Sequence, residues 1–181
     1  MKELAYHILD IANNSVRGKA STINVLINED IIGNRLTMKI NDDGTGIKED
    51  ILKTIKDPFT TSRTMRKVGL GIPFLNDTCM TCEGSLVIDS VVGEGTKVKA
   101  TMRYNHIDRP PLGNITSTMT TLISSEDQIN IMYKHIVNDV EFEVSTQQLK
   151  DILGDVPLSQ VEVVLWLKSY IKENLDELKN G

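Results

Sequence analysis

Residues 3–17, ELAYHILDIANNSVR, constrain the fold more than any other stretch of the chain. At a helical period, Leu4, Ile8, Ile11 and Ser15 fall in one mostly apolar stripe. Asp10 and Asn14 lie four apart on another face, flanked by His7 and Arg17 at three-residue spacing. The spacing predicts a helix over 3–17, stopped at Gly18. One side of it is buried, and another presents a carboxylate, an amide and a cation. Such a helix suits a metal–phosphate group. An ordinary amphipathic surface helix shows the same pattern, so this segment alone leaves both readings open.

The stretches that follow set the fold class. Thr22 to Asn28 alternates with Ile23, Val25 and Ile27 on one side, which predicts a strand. A turn is expected over 28–34. A second strand follows with Leu36, Met38 and Ile40 on one face, running into NDDGTGI (41–47), a loop by composition. A short helix is expected over 48–55 and a polar, basic loop over 56–67. A long helix begins near Gly71, with Ile72, Leu75, Cys79 and Cys82 in its stripe. Residues 85–92 and 96–104 read as strands joined by Gly93-Glu94-Gly95. Paired strands with helices between them predict an α+β class, a two-layer sandwich whose mixed sheet is covered by helices on one face.

The character changes near Asn105. NHIDRPPLGN (105–114) holds two adjacent prolines, which predict a stiff, non-helical linker. Beyond it, strands are expected over 115–124, 128–138 and 140–145. A short helix over 146–153 ends at Gly154. A long helix over 158–178 carries apolar Val161, Leu165, Ile171, Leu175 and Leu178. The expected organisation is a domain over 1–104, a linker over 105–114 and a small α+β extension over 115–181. The extension is expected to pack on the first domain, because ~65 residues give a thin independent core.

Composition narrows the function classes. The chain has 181 residues, 40% hydrophobic and 25% charged, a globular balance. Its formal net charge is −5 with no basic tail, so bulk nucleic-acid binding is not expected. No apolar run approaches the ~20 residues needed to span a bilayer, and the N-terminus does not read as a signal peptide. A cytoplasmic protein, away from membranes, is the expectation. Two cysteines are too few for a disulfide scaffold.

Two glycine-bearing segments carry the chemistry. Asp42-Asp43-Gly44-Thr45-Gly46 follows a strand end, where glycines let backbone approach a flat or charged ligand. An acidic side chain beside them can accept a hydrogen bond from an exocyclic amine such as that of adenine. Gly69-Leu70-Gly71 opens the second long helix, whose N–H groups and dipole favour phosphate. Neither is decisive alone, and no Walker A pattern is present. In combination, and in this order, the helix 1 motif, NDDGTGI, DPFTTSR, VGLGIPFL and GEGTKVKATM resemble the GHKL superfamily over residues 3–104. This is the Bergerat-type ATP-binding domain of gyrase, heat-shock chaperones, histidine kinases and mismatch-repair ATPases.

The resemblance implies ATP and Mg²⁺ as cofactors, and roles for individual residues. Asn14 matches the Mg²⁺ ligand. Asp42 matches the adenine-binding carboxylate, supported by Thr96. Gly44 and Gly46 line the base pocket, and Arg17 sits where histidine kinases often carry a phosphate-contacting lysine. Gly69, Leu70 and Gly71 cradle phosphate. The lid spans Thr60, Thr61, Arg63, Arg66 and Lys67, with cations that either reach phosphate or are simply solvated. Two departures stand out. Asp10 occupies the place of the glutamate general base of hydrolysing members, one methylene shorter. Lys67 replaces the first glycine of the usual run.

The remaining features read as structural. Cys79 and Cys82 fall on the apolar stripe of a helix, which favours core packing over a metal site. His106 precedes two prolines, so it does not match a helical phosphoacceptor. His135 alternates within a strand. The implied function is a histidine-kinase-like Mg-ATP domain that hydrolyses ATP slowly or passes phosphate to a protein in trans. The alternative is a non-catalytic, ATP-dependent switch on a partner protein. A homodimer is left open.

Overall fold

The computed structural model describes residues 3–59, 71–125 and 128–181. Helix α1 covers Leu4–Arg17, and strands β1 and β2 cover Thr22–Asp30 and Arg35–Asp42. A single turn, α2, spans Glu49–Leu52, shorter than the 48–55 expected. Helix α3 is Gly71–Thr81, and the hairpin strands β3 and β4 are Ser85–Val91 and Gly95–Arg103. Helix α4 is Ile115–Ser125, β5 Asn130–Val137 and β6 Val140–Ser145. Helices α5 and α6 are Thr146–Leu153 and Val161–Asn180.

The strands make one six-stranded sheet in the order β3-β4-β2-β1-β5-β6. β1 and β5 run parallel, from Thr22↔Asn130 to Glu29↔Val137, and the other neighbours are antiparallel. Strand alternation sends one set of side chains under the helices. Ile23, Val25 and Ile27 of β1, Leu36, Met38 and Ile40 of β2, and Ile131, Tyr133 and Val137 of β5 are buried there. α1, α3, α4 and α6 supply the other half of the core through Leu4, Ile8, Ile11, Leu75, Met119, Ile123, Leu167 and Ile171. The architecture is the two-layer α+β sandwich expected, with a mixed sheet and helices on one face.

One element is the opposite of its expectation. Residues 115–124 are not a strand but helix α4. Four threonines raise β propensity there. Yet Ile115, Met119, Leu122 and Ile123 lie at helical spacing and are all buried. Asn114 Oδ1 caps the helix by accepting from Ser117 N at 2.9 Å. Thr120 Oγ1 and Ser124 Oγ donate back to Thr116 O and Thr120 O at 2.7 and 2.6 Å, so these hydroxyls do not compete with the helix. In α6 the buried stripe is Val163, Leu167, Ile171, Leu175 and Leu178. Val161 and Leu165, expected on it, are 68% and 61% exposed.

The proline-rich stretch is built into the fold. Glu3 gives α1 no side-chain cap. Instead Leu4 N and Ala5 N donate to Pro111 O and Leu112 O at 3.0 and 2.9 Å. Arg109 stacks its guanidinium over Tyr104, 4.8 Å from the ring centre. At the far end of the sheet, Asn138 Oδ1 accepts from Ile31 N at 2.9 Å and Ile32 N at 3.2 Å, which ties the β1–β2 turn to the β5–β6 turn.

Candidate functional site

α1 packs against the sheet through Leu4, Ile8 and Ile11, and this leaves its Asp10–Asn14 face beside the end of β2 and the start of α3. Asp42 closes β2. Its Oδ2 accepts from Ser15 Oγ at 2.6 Å and its Oδ1 from Gly44 N at 2.9 Å. Each carboxylate oxygen can accept more than one hydrogen bond, so Asp42 is held in place with capacity to spare. Thr96 is its direct cross-strand partner on β4. Thr96 Oγ1 lies 2.8 Å from Ser90 Oγ, which also accepts from Ile47 N at 2.8 Å.

The 42–47 loop needs its glycines. A Cβ on Gly44 would meet Gly18 O at 2.7 Å, where Thr45 N already donates to that carbonyl at 2.8 Å. Gly46 has φ +75, and a Cβ there would meet Val91 O at 2.2 Å. Asp43 points away and pins the loop to the start of β1. It accepts from Ser21 Oγ, Ser21 N and Thr22 N at 2.6, 2.8 and 2.9 Å. Those hydrogen bonds, that from the Ser21 hydroxyl first, hold its carboxyl below the usual range.

Asp10 and Asn14 differ in their surroundings. Asn14 Oδ1 accepts from Arg17 Nη1 at 3.2 Å, at the surface. Asp10 Oδ2 is buried and has no hydrogen-bond partner among the described residues. Burial pushes its carboxyl up, against the opposing charge of Arg17. The start of α3 closes over it, because a Cβ on Gly71 would sit 1.8 Å from Asp10 Oδ2. His7, on the same helix, is 1% exposed, and its Nδ1 is also buried without a hydrogen-bond partner among the described residues. Burial pushes its pKa down, so the neutral ring is favoured.

The structure therefore brings Asp10, Asn14, Arg17, Asp42, Gly44, Gly46, Gly71 and Thr96 to one end of the sandwich. Thr60, Thr61, Arg63, Arg66, Lys67, Gly69 and Leu70 lie outside the described residues. The sequence pattern places Ser15 on the apolar stripe but assigns it no role at Asp42, and assigns none to Ser21 or Ser90. Ser15 was legible in principle: a hydroxyl on a buried stripe needs a partner, and here that partner is Asp42. Asn14 offers an amide oxygen of the kind Mg²⁺ accepts. Among the described residues, no three His, Cys, Asp or Glu side chains converge to hold a metal by themselves. A metal at Asn14 would thus draw its other ligands from a bound group and water. Cys79 and Cys82 are fully buried in α3 and just beyond it, and the Cys79 thiol is pushed up to about 12, chiefly by burial.

Residues 2–106 match the family model described as histidine kinase-, DNA gyrase B- and HSP90-like ATPase. Among similar proteins, the anti-sigma F factor of a Thermoanaerobacter species is 32% identical over 92 residues, 50% of this chain and 61% of the relative. Sporulation kinase D of Bacillus subtilis is 30% identical over 95 residues, 52% of this chain and 19% of the relative. The non-motile and phage-resistance protein of Caulobacter vibrioides is 26% identical over 111 residues, 56% of this chain and 13% of the relative. The chain thus spans less than two thirds of each of these relatives. The N-terminal domain of a DNA repair protein shares the fold at TM-score 0.57 and 13% identity, over 86% of this chain and 58% of that one. With more than half its length matched and the sheet and helical layer in agreement, the chain belongs to the GHKL family of histidine kinase-, gyrase- and HSP90-like ATPases and has the Bergerat fold.

Proposed function

We propose that this chain binds Mg-ATP against α1, the 42–47 loop and the start of α3. It then hydrolyses the nucleotide slowly or passes its terminal phosphoryl group to a separate protein. The observation that carries the reading is Asp42, a carboxylate fixed by Ser15 and Gly44 above a glycine floor. Held so, Asp42 accepts the exocyclic amine of adenine and rejects a base that presents a carbonyl there. Asn14 contributes its amide oxygen to Mg²⁺, and Arg17, released from Asn14, turns to phosphate. Bound Mg²⁺ neutralises charge on the phosphates. Asp10, neighbour to both, takes the proton of the attacking group, and its raised pKa suits a base working nearer neutral pH.

A second reading, an ATP-dependent switch without turnover, is favoured by the same residue. Asp10 is one methylene short of a glutamate, and its Oδ2 is pressed against Gly71. The kinase and anti-sigma factor among the relatives support a protein partner under either reading. Incubation with γ-labelled ATP decides between them: released phosphate or a labelled protein supports the enzyme, and tight binding with neither supports the switch. Asp42→Asn is expected to weaken ATP binding by about tenfold or more, the ~1.5–3 kcal/mol of a charge-assisted hydrogen bond, and to erase preference over GTP. Titration calorimetry with both nucleotides checks this, and unchanged selectivity would sink the site.

A further inference from the structure

On β2 and β4 the open face of the sheet carries cationic charge that, among the described residues, the fold uses only at Arg103, which pairs with Glu83 and donates to Asn105. On β2 the residues directed away from the helices are Arg35, Thr37, Lys39 and Asn41. On β4 they are Lys97, Lys99, Thr101 and Arg103. The register sets Lys39 directly opposite Lys99 and Arg35 directly opposite Arg103. Like charges directly opposite destabilise a sheet. Their neighbours across β1 and β3 do little to offset this: Leu26 lies beside Lys39, and Val87 beside Lys99. Asp30 and Asp89 pair in register with Arg35 and Lys97, yet neither reaches ion-pair distance. Among the described residues, the ion pair at this stripe is Arg103 with Glu83, at 3.1 Å. Five cations on one stripe stand out in a chain of net charge −5. The stripe is about 20 Å long on β4 at strand rise. It ends in a cavity of about 530 Å³ whose lining includes Asn34, Arg35, Glu83, Thr101 and Arg103. That cavity lies at the opposite end of β2 and β4 from Asp42 and Thr96.

We propose that this face docks an acidic, extended segment of a protein partner, with carboxylates on the Lys39–Lys99 and Arg35–Arg103 pairs. Charge complementarity selects the partner, and the relieved repulsion adds to binding. Alternate residues of an extended chain repeat every ~7 Å, the spacing of Arg35 to Thr37 to Lys39. Thr37, between Arg35 and Lys39, offers its hydroxyl to the backbone of that segment, whereas the buried Thr101 hydroxyl is taken up by Ser85. Nucleic acid fits less well. None of the open-face residues of β2 and β4 is aromatic, so bases find no stacking platform. Asp30, Glu83 and Asp89 border the stripe, so the ligand must set discrete carboxylates on the cation pairs and carry no charge opposite these three, a spacing that a peptide can adopt and an unbroken phosphate backbone cannot. The surface is separate from the nucleotide site, so it stands or falls independently of ATP binding.

The test uses the full chain and a fluorescein-labelled peptide of about twelve residues rich in glutamate, followed by anisotropy at about 50 mM salt. Binding is expected, weakened about tenfold at about 300 mM salt. Lys39→Glu and Lys99→Glu are each expected to weaken it at least about fivefold, while Lys168→Glu on α6 leaves it unchanged. Lys39→Glu also converts a like pair into an opposite pair, so its melting midpoint should rise by ~1–2 °C, which separates lost binding from lost folding. Absence of binding, equal loss in Lys168→Glu, or tighter binding of a charge-matched oligonucleotide would overturn the proposal. Retained nucleotide binding in Lys39→Glu is expected, and its loss would overturn the separation of the two surfaces.

Discussion

Asp10 is the residue on which consumption of ATP turns, and its surroundings make a prediction that a mere surface carboxylate would not. Its Oδ2 is buried against Gly71 without a partner among the described residues, and burial raises its pKa. A carboxyl whose pKa is raised by folding binds its proton more tightly in the folded state. Stability therefore falls as pH climbs from the unfolded value, near 3.8, through the raised folded one, and the penalty is complete above that. Asp10→Asn removes the penalty. Its melting midpoint is expected to exceed that of the parent at pH 7, with the gap narrowing towards pH 4, while any turnover is lost and ATP binding stays. Paired thermal melts and a phosphate-release assay check this. A variant that loses stability at pH 7 would mean that Asp10 is held by a partner. The position of Asp10 was legible from its four-residue spacing to Asn14. Its burial was not, because that depends on the start of α3, which the chain places sixty residues later.

Elements were legible where the hydrophobic period was clean, and obscured where a polar residue entered a core. β1 shows this at Glu29. Residues 28–30 look like a turn, yet they complete the strand, and Glu29 is buried at 4% exposure. The sequence hides its partners because they come from two distant elements. His135 Nε2 of β5 lies 2.6 Å from Glu29 Oε1, and Tyr104 Oη donates to Oε2 at 3.0 Å. Tyr133 Oη, 2.7 Å from His135 Nδ1, extends the chain into the core. Burial alone would raise the Glu29 carboxyl, but the hydrogen bond and charge from His135, helped by Tyr104, bring it below its ordinary value. A depressed carboxyl stabilises the fold above its unfolded pKa, and that stability is lost as pH falls through the folded one. Glu29→Ala strands both partners and is expected to cost ~1–3 kcal/mol at pH 7. Urea midpoints at pH 7 and pH 4 check it, and a cost that does not shrink at the lower pH would contradict the depressed carboxyl. The same blindness explains α4, whose threonines favour a strand locally while its four buried apolar residues meet α1 and α6 only in the folded molecule.

At the scale of the whole molecule, the parallel pairing of β1 with β5 decides what can fold alone. The family-model match ends at residue 106, and composition changes at the prolines, so the sequence suggests a boundary there. The sheet runs straight across it. Cutting after residue 106 would strip β1 of its eight-position ladder with β5 and leave a bare edge in mid-sheet. It would take Pro111 O and Leu112 O from the first turn of α1, and uncover the α1 surface that α4 packs on. α1 carries Asp10, Asn14 and Arg17, so the candidate site depends on residues beyond those that the family model matches. The full chain is expected to unfold in one transition. Trp166 is the single tryptophan and lies on α6, so its fluorescence reports the C-terminal part while far-ultraviolet dichroism reports every helix. The two melting curves should coincide. A fluorescence transition well below the dichroism transition would show that β5, β6 and α6 detach first. The fragment 1–106, expected to aggregate or remain unfolded, would then bind ATP unaided.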